Sequence, residues 1–186
     1  MNRRLTGIAV VVAGMLGGSP RAASEAELRA RVDGLLGAYR AVTVAQWRAL
    51  GPEASLALEQ VARDQAALPS RRARALAALG AVQPAAADPV IRELASDGTA
   101  PVVLRSAAVD AASSVLGLRA QDLLVSLLRD PEAAIRLRSA RALATSGAGG
   151  CRAVSVAART LPPSDPVART AASCEAQLRA NPPGEK

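Results

Sequence analysis

The chain has 186 residues and a mass of 18.9 kDa, enough for one domain with a core of its own. Ala fills 44 positions, Phe and His are absent, Tyr39, Trp47 and Lys186 are single examples of their kinds, and the other 22 basic residues are Arg. An aromatic content of 1% excludes a large sandwich or barrel core and a base-stacking surface, and the lack of His removes the commonest general base and metal ligand.

Arg3 and Arg4 precede an apolar run from Leu5 to Leu16, which Gly17, Gly18, Ser19 and Pro20 end, and the small residues Ala22, Ala23 and Ser24 follow. This pattern predicts a secretory signal peptide over 1–24, cleaved after Ala23 or Ser24. A retained anchor is the second reading, although an apolar run of about 12 to 14 residues is shorter than the roughly 20 that span a bilayer. No membrane span is expected after cleavage, and no Cys follows the run to carry an acyl anchor. Cleavage removes Arg3, Arg4 and Arg21 with no acid, so the net charge falls from +7 to +4. The pI of 11.0 then reflects Arg in place of Lys and is no footprint for nucleic acid, which is not an expected partner. The expected location is the periplasm of a bacterium, or outside the cell.

Residues 25–50 read as a helical cap. Its first helix is capped by Ser24 and striped by Leu28, Val32, Leu35 and Leu36, and its second runs through Val44, Trp47 and Leu50. Beyond it Pro and Gly punctuate the chain at Gly51-Pro52, Pro69, Gly80, Pro84, Pro89, Gly98, Pro101, Gly117, Pro131, Gly147 to Gly150, Pro162-Pro163 and Pro166. Ala- and Leu-rich segments of helical period lie between these breaks. Four of them, Glu53 to Arg63, Ala85 to Ala95, Leu118 to Arg129 and Cys151 to Thr160, alternate with Arg71 to Gly80, Leu104 to Ala112, Ile135 to Leu143 and Ala168 to Ala172. The second set repeats one pattern. Aligning Arg72, Arg105, Arg136 and Arg169 gives steps of 33, 31 and 33, while aligning Arg74, Arg105, Arg138 and Arg169 gives 31, 33 and 31. Either register implies a unit of about 32 residues. The tail 181–186, with Pro182-Pro183-Gly184, is expected to be unstructured.

The run Asp130-Pro131-Glu132-Ala133-Ala134-Ile135-Arg136, followed by Ala140, Ala142 and Leu143, resembles the HEAT repeat family, in particular its short bacterial form related to phycobilisome-lyase repeats. Ala49-Leu50-Gly51-Pro52-Glu53-Ala54 and Ala78-Leu79-Gly80 carry the same likeness, which covers roughly residues 49–180. The resemblance implies an all-α fold, a right-handed α-solenoid of about four helix pairs over 51–180 behind the cap at 25–50. It gives the second-helix arginines two readings. In one they reach Asp97, Asp130 and Asp165 in the turns and tie neighbouring units into a ladder. In the other Arg72, Arg74, Arg105, Arg136, Arg138 and Arg169 form a concave face that binds a carboxylate-rich or phosphate-rich partner, an acidic protein or an envelope polymer.

Cys151 and Cys174 are the only cysteines, and in an exported chain such a pair is expected to bond. Their midpoint falls in the Pro162-Pro163 turn, which sets them at one height in a helix hairpin. Two sulfurs without His make a poor zinc site. Asp88, Glu93, Asp97, Asp110, Asp122, Asp130, Glu132 and Asp165 read mostly as caps at helix starts and turns, and no Ser has a His or Lys to activate it. The expected function is that of an exported, non-catalytic scaffold that binds another protein in the cell envelope and needs no cofactor or metal. The rival reading is a lyase-like or small-ligand-binding accessory protein with its site between repeats.

Overall fold

The structure, a computed structural model, describes residues 20–180, with side-chain surroundings from Ser24 onward. The signal peptide predicted over 1–24 therefore lies outside the described residues except for its last few positions, and the tail 181–186 lies outside them altogether. The helices are α1 (Pro20–Leu36), α2 (Val44–Arg48), α3 (Ala54–Arg63), α4 (Pro69–Val82), α5 (Pro84–Ser96), α6 (Val102–Ala111), α7 (Gln121–Leu127), α8 (Ala133–Thr145), α9 (Ala148–Ala158) and α10 (Pro166–Ala180). A π-helical turn, Ala112–Leu116, and a 3-10 turn, Gly117–Ala120, link α6 to α7. No strand occurs among the described residues.

Pro opens α1, α4, α5 and α10, at the position where a missing N–H costs nothing. Ser24 is consequently inside α1 rather than its cap, because Pro20 starts the helix earlier. Thr43 caps α2 in a reciprocal box with Gln46, whose side chain accepts the Thr43 N–H at 2.8 Å. Four residues read from sequence as breaks, Gly80, Pro89, Gly149 and Gly150, lie inside helices. Pro89 lies inside α5, with its ring exposed, and the carbonyl it cannot bond belongs to Ala85, itself open to water. Gly80 lies inside α4, where a Cβ would come within 2.6 Å of Val115 Cγ2, so this glycine lets the π-helical turn approach.

Packing follows chain order. α3 packs on α4, α5 on α6, α7 on α8 and α9 on α10, while α4, α6, α8 and α10 also touch in succession. α1 lies on α3 and α4, and α2 on α4. Leu58, Leu76, Leu79, Ile91, Leu104, Ile135 and Leu143 are fully buried, each contributing about 1.5–3 kcal/mol. Ala54, Ala62, Ala75, Ala87, Ala95, Ala108 and Ala140, equally buried, keep the helix contacts close. Gly147, at φ +103, turns the chain between α8 and α9, and a Cβ on buried Gly150 would stand 2.8 Å from the Leu143 carbonyl carbon. The chain at Gly150 is therefore close-packed against the end of α8. Among the described residues no helix is long and apolar enough to cross a membrane.

Candidate functional site

Arg72, Arg105, Arg136 and Arg169 are each the fourth residue of a helix, in α4, α6, α8 and α10. The first of the two sequence registers is thus the one that the helices keep. Ahead of each helix stands an Asp whose Oδ1 accepts the N–H two residues on: Asp64 from Ala66 at 2.9 Å, Asp97 from Thr99 at 2.9 Å, Asp130 from Glu132 at 2.9 Å and Asp165 from Val167 at 3.0 Å. The chain between Asp and helix start shortens along the series. Gln65–Leu68 and Gly98–Pro101 fill the first two gaps, Pro131-Glu132 the third, and Asp165 directly precedes Pro166. Arginine and aspartate therefore repeat with different steps.

The inner arginines are held by these turns. Arg105 grips Asp130 with Nη1 at 3.2 Å from Oδ1 and Nη2 on Oδ2, and its Nε donates to the Ala95 carbonyl at 3.3 Å. The two side chains are 3% and 7% exposed. Arg136 holds Asp165 through one oxygen, Nε at 3.1 Å and Nη2 both donating to Oδ2, and donates from Nη1 to the carbonyls of Asp130 and Pro131 at 2.7 and 2.8 Å. Arg72 donates from Nε to the Ala62 carbonyl at 2.9 Å, the counterpart of the Arg105–Ala95 bond. Asp97 is not its partner: that carboxylate accepts the N–H and O–H of Thr99, which hold it below the usual carboxylate range. Arg72, Arg105 and Arg136 are thus turned inward, bonded within the fold.

The other expected docking residues lie further out. Arg74 donates from Nη1 to the carbonyls of Leu36 and Ala38, 2.9 and 3.2 Å away, at the end of α1. With the Arg71–Asp33 pair at 2.6 Å it fastens α1 to α4. Arg138 meets Asp110 at 2.5 Å, with both side chains well exposed. Arg169 is exposed and has no ion pair or side-chain hydrogen bond among the described residues. It lines a groove of about 390 Å³ between α8 and α10 with Leu137, Arg141, Pro166, Thr170 and Ser173.

Sequence reasoning missed a second series, on the first helices of the pairs. Arg63 bonds Glu93 at 2.8 Å and Arg92 bonds Asp122 at 3.0 Å, each across thirty residues, and Arg92 also takes Asp88 at 2.8 Å. Asp88, Glu93 and Asp110 are therefore pairing residues within helices rather than caps. The hydrogen bonds that Arg92 donates to Asp88 and then to Asp122 raise its guanidinium above its ordinary value. The signal was the charge order Arg92-Glu93 following Arg63 at the repeat spacing, legible only once the units were aligned on both helices.

Cys151 and Cys174, on α9 and α10, have their sulfurs at disulfide distance, with Cα atoms 5.0 Å apart. Among the described residues no group of three or more His, Cys, Asp or Glu is placed to hold a metal ion. No family model, curated protein or solved structure matches the chain.

Asp165 gives the ladder a pH signature. Burial pushes its carboxyl up, but the hydrogen bonds from Arg136 and the Val167 N–H, with the Arg136 charge, outweigh burial and hold it below the usual range. Because the folded value is the lower one, ionised Asp165 adds stability that is complete well above the unfolded value of about 3.9 and vanishes as pH falls through the folded value. Thermal melts of wild type and Asp165→Asn are expected to differ at neutral pH and to converge in acid. Curves that stay parallel would remove Asp165 from the acid response.

Proposed function

We propose that the chain is an exported, non-catalytic scaffold of HEAT-like repeats, an α-solenoid of about four pairs over 51–180 with 25–50 as a cap. It binds another protein through the exposed face of its second helices. One observation carries this reading: an arginine at the fourth position of a helix and an aspartate turn before it recur through four successive helix pairs. Repeats of this kind stack by nearest-neighbour contact and present extended surfaces to partners. Export is supported by the cysteine pair, since disulfides persist in oxidising compartments. Of the arginines expected to dock a partner, Arg138 and Arg169 are the exposed ones on α8 and α10, and Arg74 is engaged with α1.

The test is crosslinking in the native periplasm followed by pull-down at low and high salt, with wild type beside Arg138→Gln/Arg169→Gln. A partner captured by wild type is expected to be lost in the variant and at high salt. Capture that survives both would overturn the arginine face. No partner in any condition would overturn the scaffold reading.

A further inference from the structure

The grooves between successive second helices do not carry the same charge. Between α6 and α8, Asp110, the ninth residue of α6, meets Arg138 and the charges cancel. The ninth residue of α8 is Arg141, and it shares the α8–α10 groove with Arg169. Neither guanidinium has an ion pair or side-chain hydrogen bond among the described residues. The hydroxyls of Thr170 and Ser173 line the same groove, that of Ser173 donating to the Arg169 carbonyl at 3.2 Å, and Leu137 and Pro166 supply apolar wall. No acid is among its lining residues.

The ladder indicates what such a groove takes. Arg105 and Arg136 each hold the carboxylate of an Asp that is followed by Pro, Asp130-Pro131 in the turn before α8 and Asp165-Pro166 at the start of α10. Arg169 occupies the same helix position but opens on the groove that it shares with Arg141 of α8, where no acid lines the wall. Arginine's planar fork matches a carboxylate in two parallel bonds, which makes this a chemical preference as well as a charge preference.

We propose that the α8–α10 groove docks an acidic segment of a partner protein, an aspartate at a helix start bonding Arg169 while a second carboxylate meets Arg141. This rests on the scaffold reading and names the chemistry of its partner. The carboxylates supply to this groove the negative charge that Asp110 supplies between α6 and α8. Leu137 and Pro166 give the segment a short apolar contact.

The probe is a synthetic capped peptide with an Asp-Pro-Glu helix start, titrated into the isotope-labelled protein while the arginine Nε–H signals are followed by NMR. An Asn/Gln version of the peptide and inorganic phosphate at equal ionic strength form the other arms. The acidic peptide is expected to move the Arg141 and Arg169 signals and its amide version to leave them. Arg141→Gln/Arg169→Gln is expected to weaken binding by about tenfold or more with helix content and melting unchanged, since neither guanidinium has an ion pair or hydrogen bond among the described residues. Unmoved signals at about 1 mM peptide, equal binding by the double variant, or tighter binding of phosphate than of peptide would each overturn the proposal. If a partner is captured through Arg138 while the peptide leaves both signals unmoved, the scaffold reading stands and this site falls. Peptide binding at Arg141 and Arg169 with no partner captured supports the site and overturns the wider reading.

Discussion

Replacing Asp130 with Ala is expected to cost about 3–5 kcal/mol, read as a lower denaturant midpoint at unchanged slope. The loss is large because Arg105, with its side chain 3% exposed, keeps its charge and loses the carboxylate that balances it. The Ala95 carbonyl alone remains to it. Asp130→Asn separates two contributions, since an amide oxygen can still accept the Glu132 N–H of the turn while the charge is gone. Replacing both partners, Arg105→Met with Asp130→Leu, is expected to recover most of the loss, because two apolar side chains leave no charge behind. The outer pair Arg92–Asp122, whose aspartate is 74% exposed, is the control and should be worth about 0–1 kcal/mol. A loss below about 1 kcal/mol for Asp130→Ala would place the inner rung in that weak class and remove the ladder as a structural element.

Breaking the link between α9 and α10 is the second large effect. Cys151→Ala/Cys174→Ala is expected to lose roughly 3 kcal/mol, the loop-entropy value for a sequence separation of 23, and to melt roughly 6–12 °C lower. Both cysteines are 1% exposed, so Ala is the replacement that adds no buried polar group. Either single variant should lose about as much as the double, because the bond is gone in all three. Wild type treated with reductant under mildly denaturing conditions should follow them. A double variant that melts with the oxidised wild type would show that the pair contributes nothing to stability.

The helix pairs were legible because each Ala-Leu segment has helical period and is bounded by residues that start helices well. Pro69, Pro84 and Pro166, read from sequence as breaks, stand at the first helical positions of α4, α5 and α10. Pro89 misleads because its cost depends on whether water reaches the carbonyl it leaves unpaired, a property of the packed helix. The arginine register was ambiguous because α4 and α8 each carry Arg at two positions two residues apart, Arg72 with Arg74 and Arg136 with Arg138. Only the helix start distinguishes them, and that start drifts toward the turn Asp by two residues at α8 and two more at α10. Arg105 and Arg169 show the deeper limit. They occupy the same helix position, yet one is buried on a carboxylate and the other open, because what lies beyond each helix is a tertiary fact. The outer pairs of Arg63 and Arg92 are invisible for a related reason: a charge thirty residues away is a neighbour only after the helices are stacked.

Trp47 lies in the five-residue helix α2, 7% exposed, and is the only tryptophan in the chain. Its fluorescence therefore reports one local event, the undocking of α2 from α4, whereas far-ultraviolet ellipticity sums over every helix. In a protein whose contacts run mostly between neighbours, these two signals need not change together. The gap between them measures how far separation at one end has advanced into the remaining helices. A composition so poor in aromatic residues thus leaves the chain with a single tryptophan probe, which reports separation at the α2 end of the helix series.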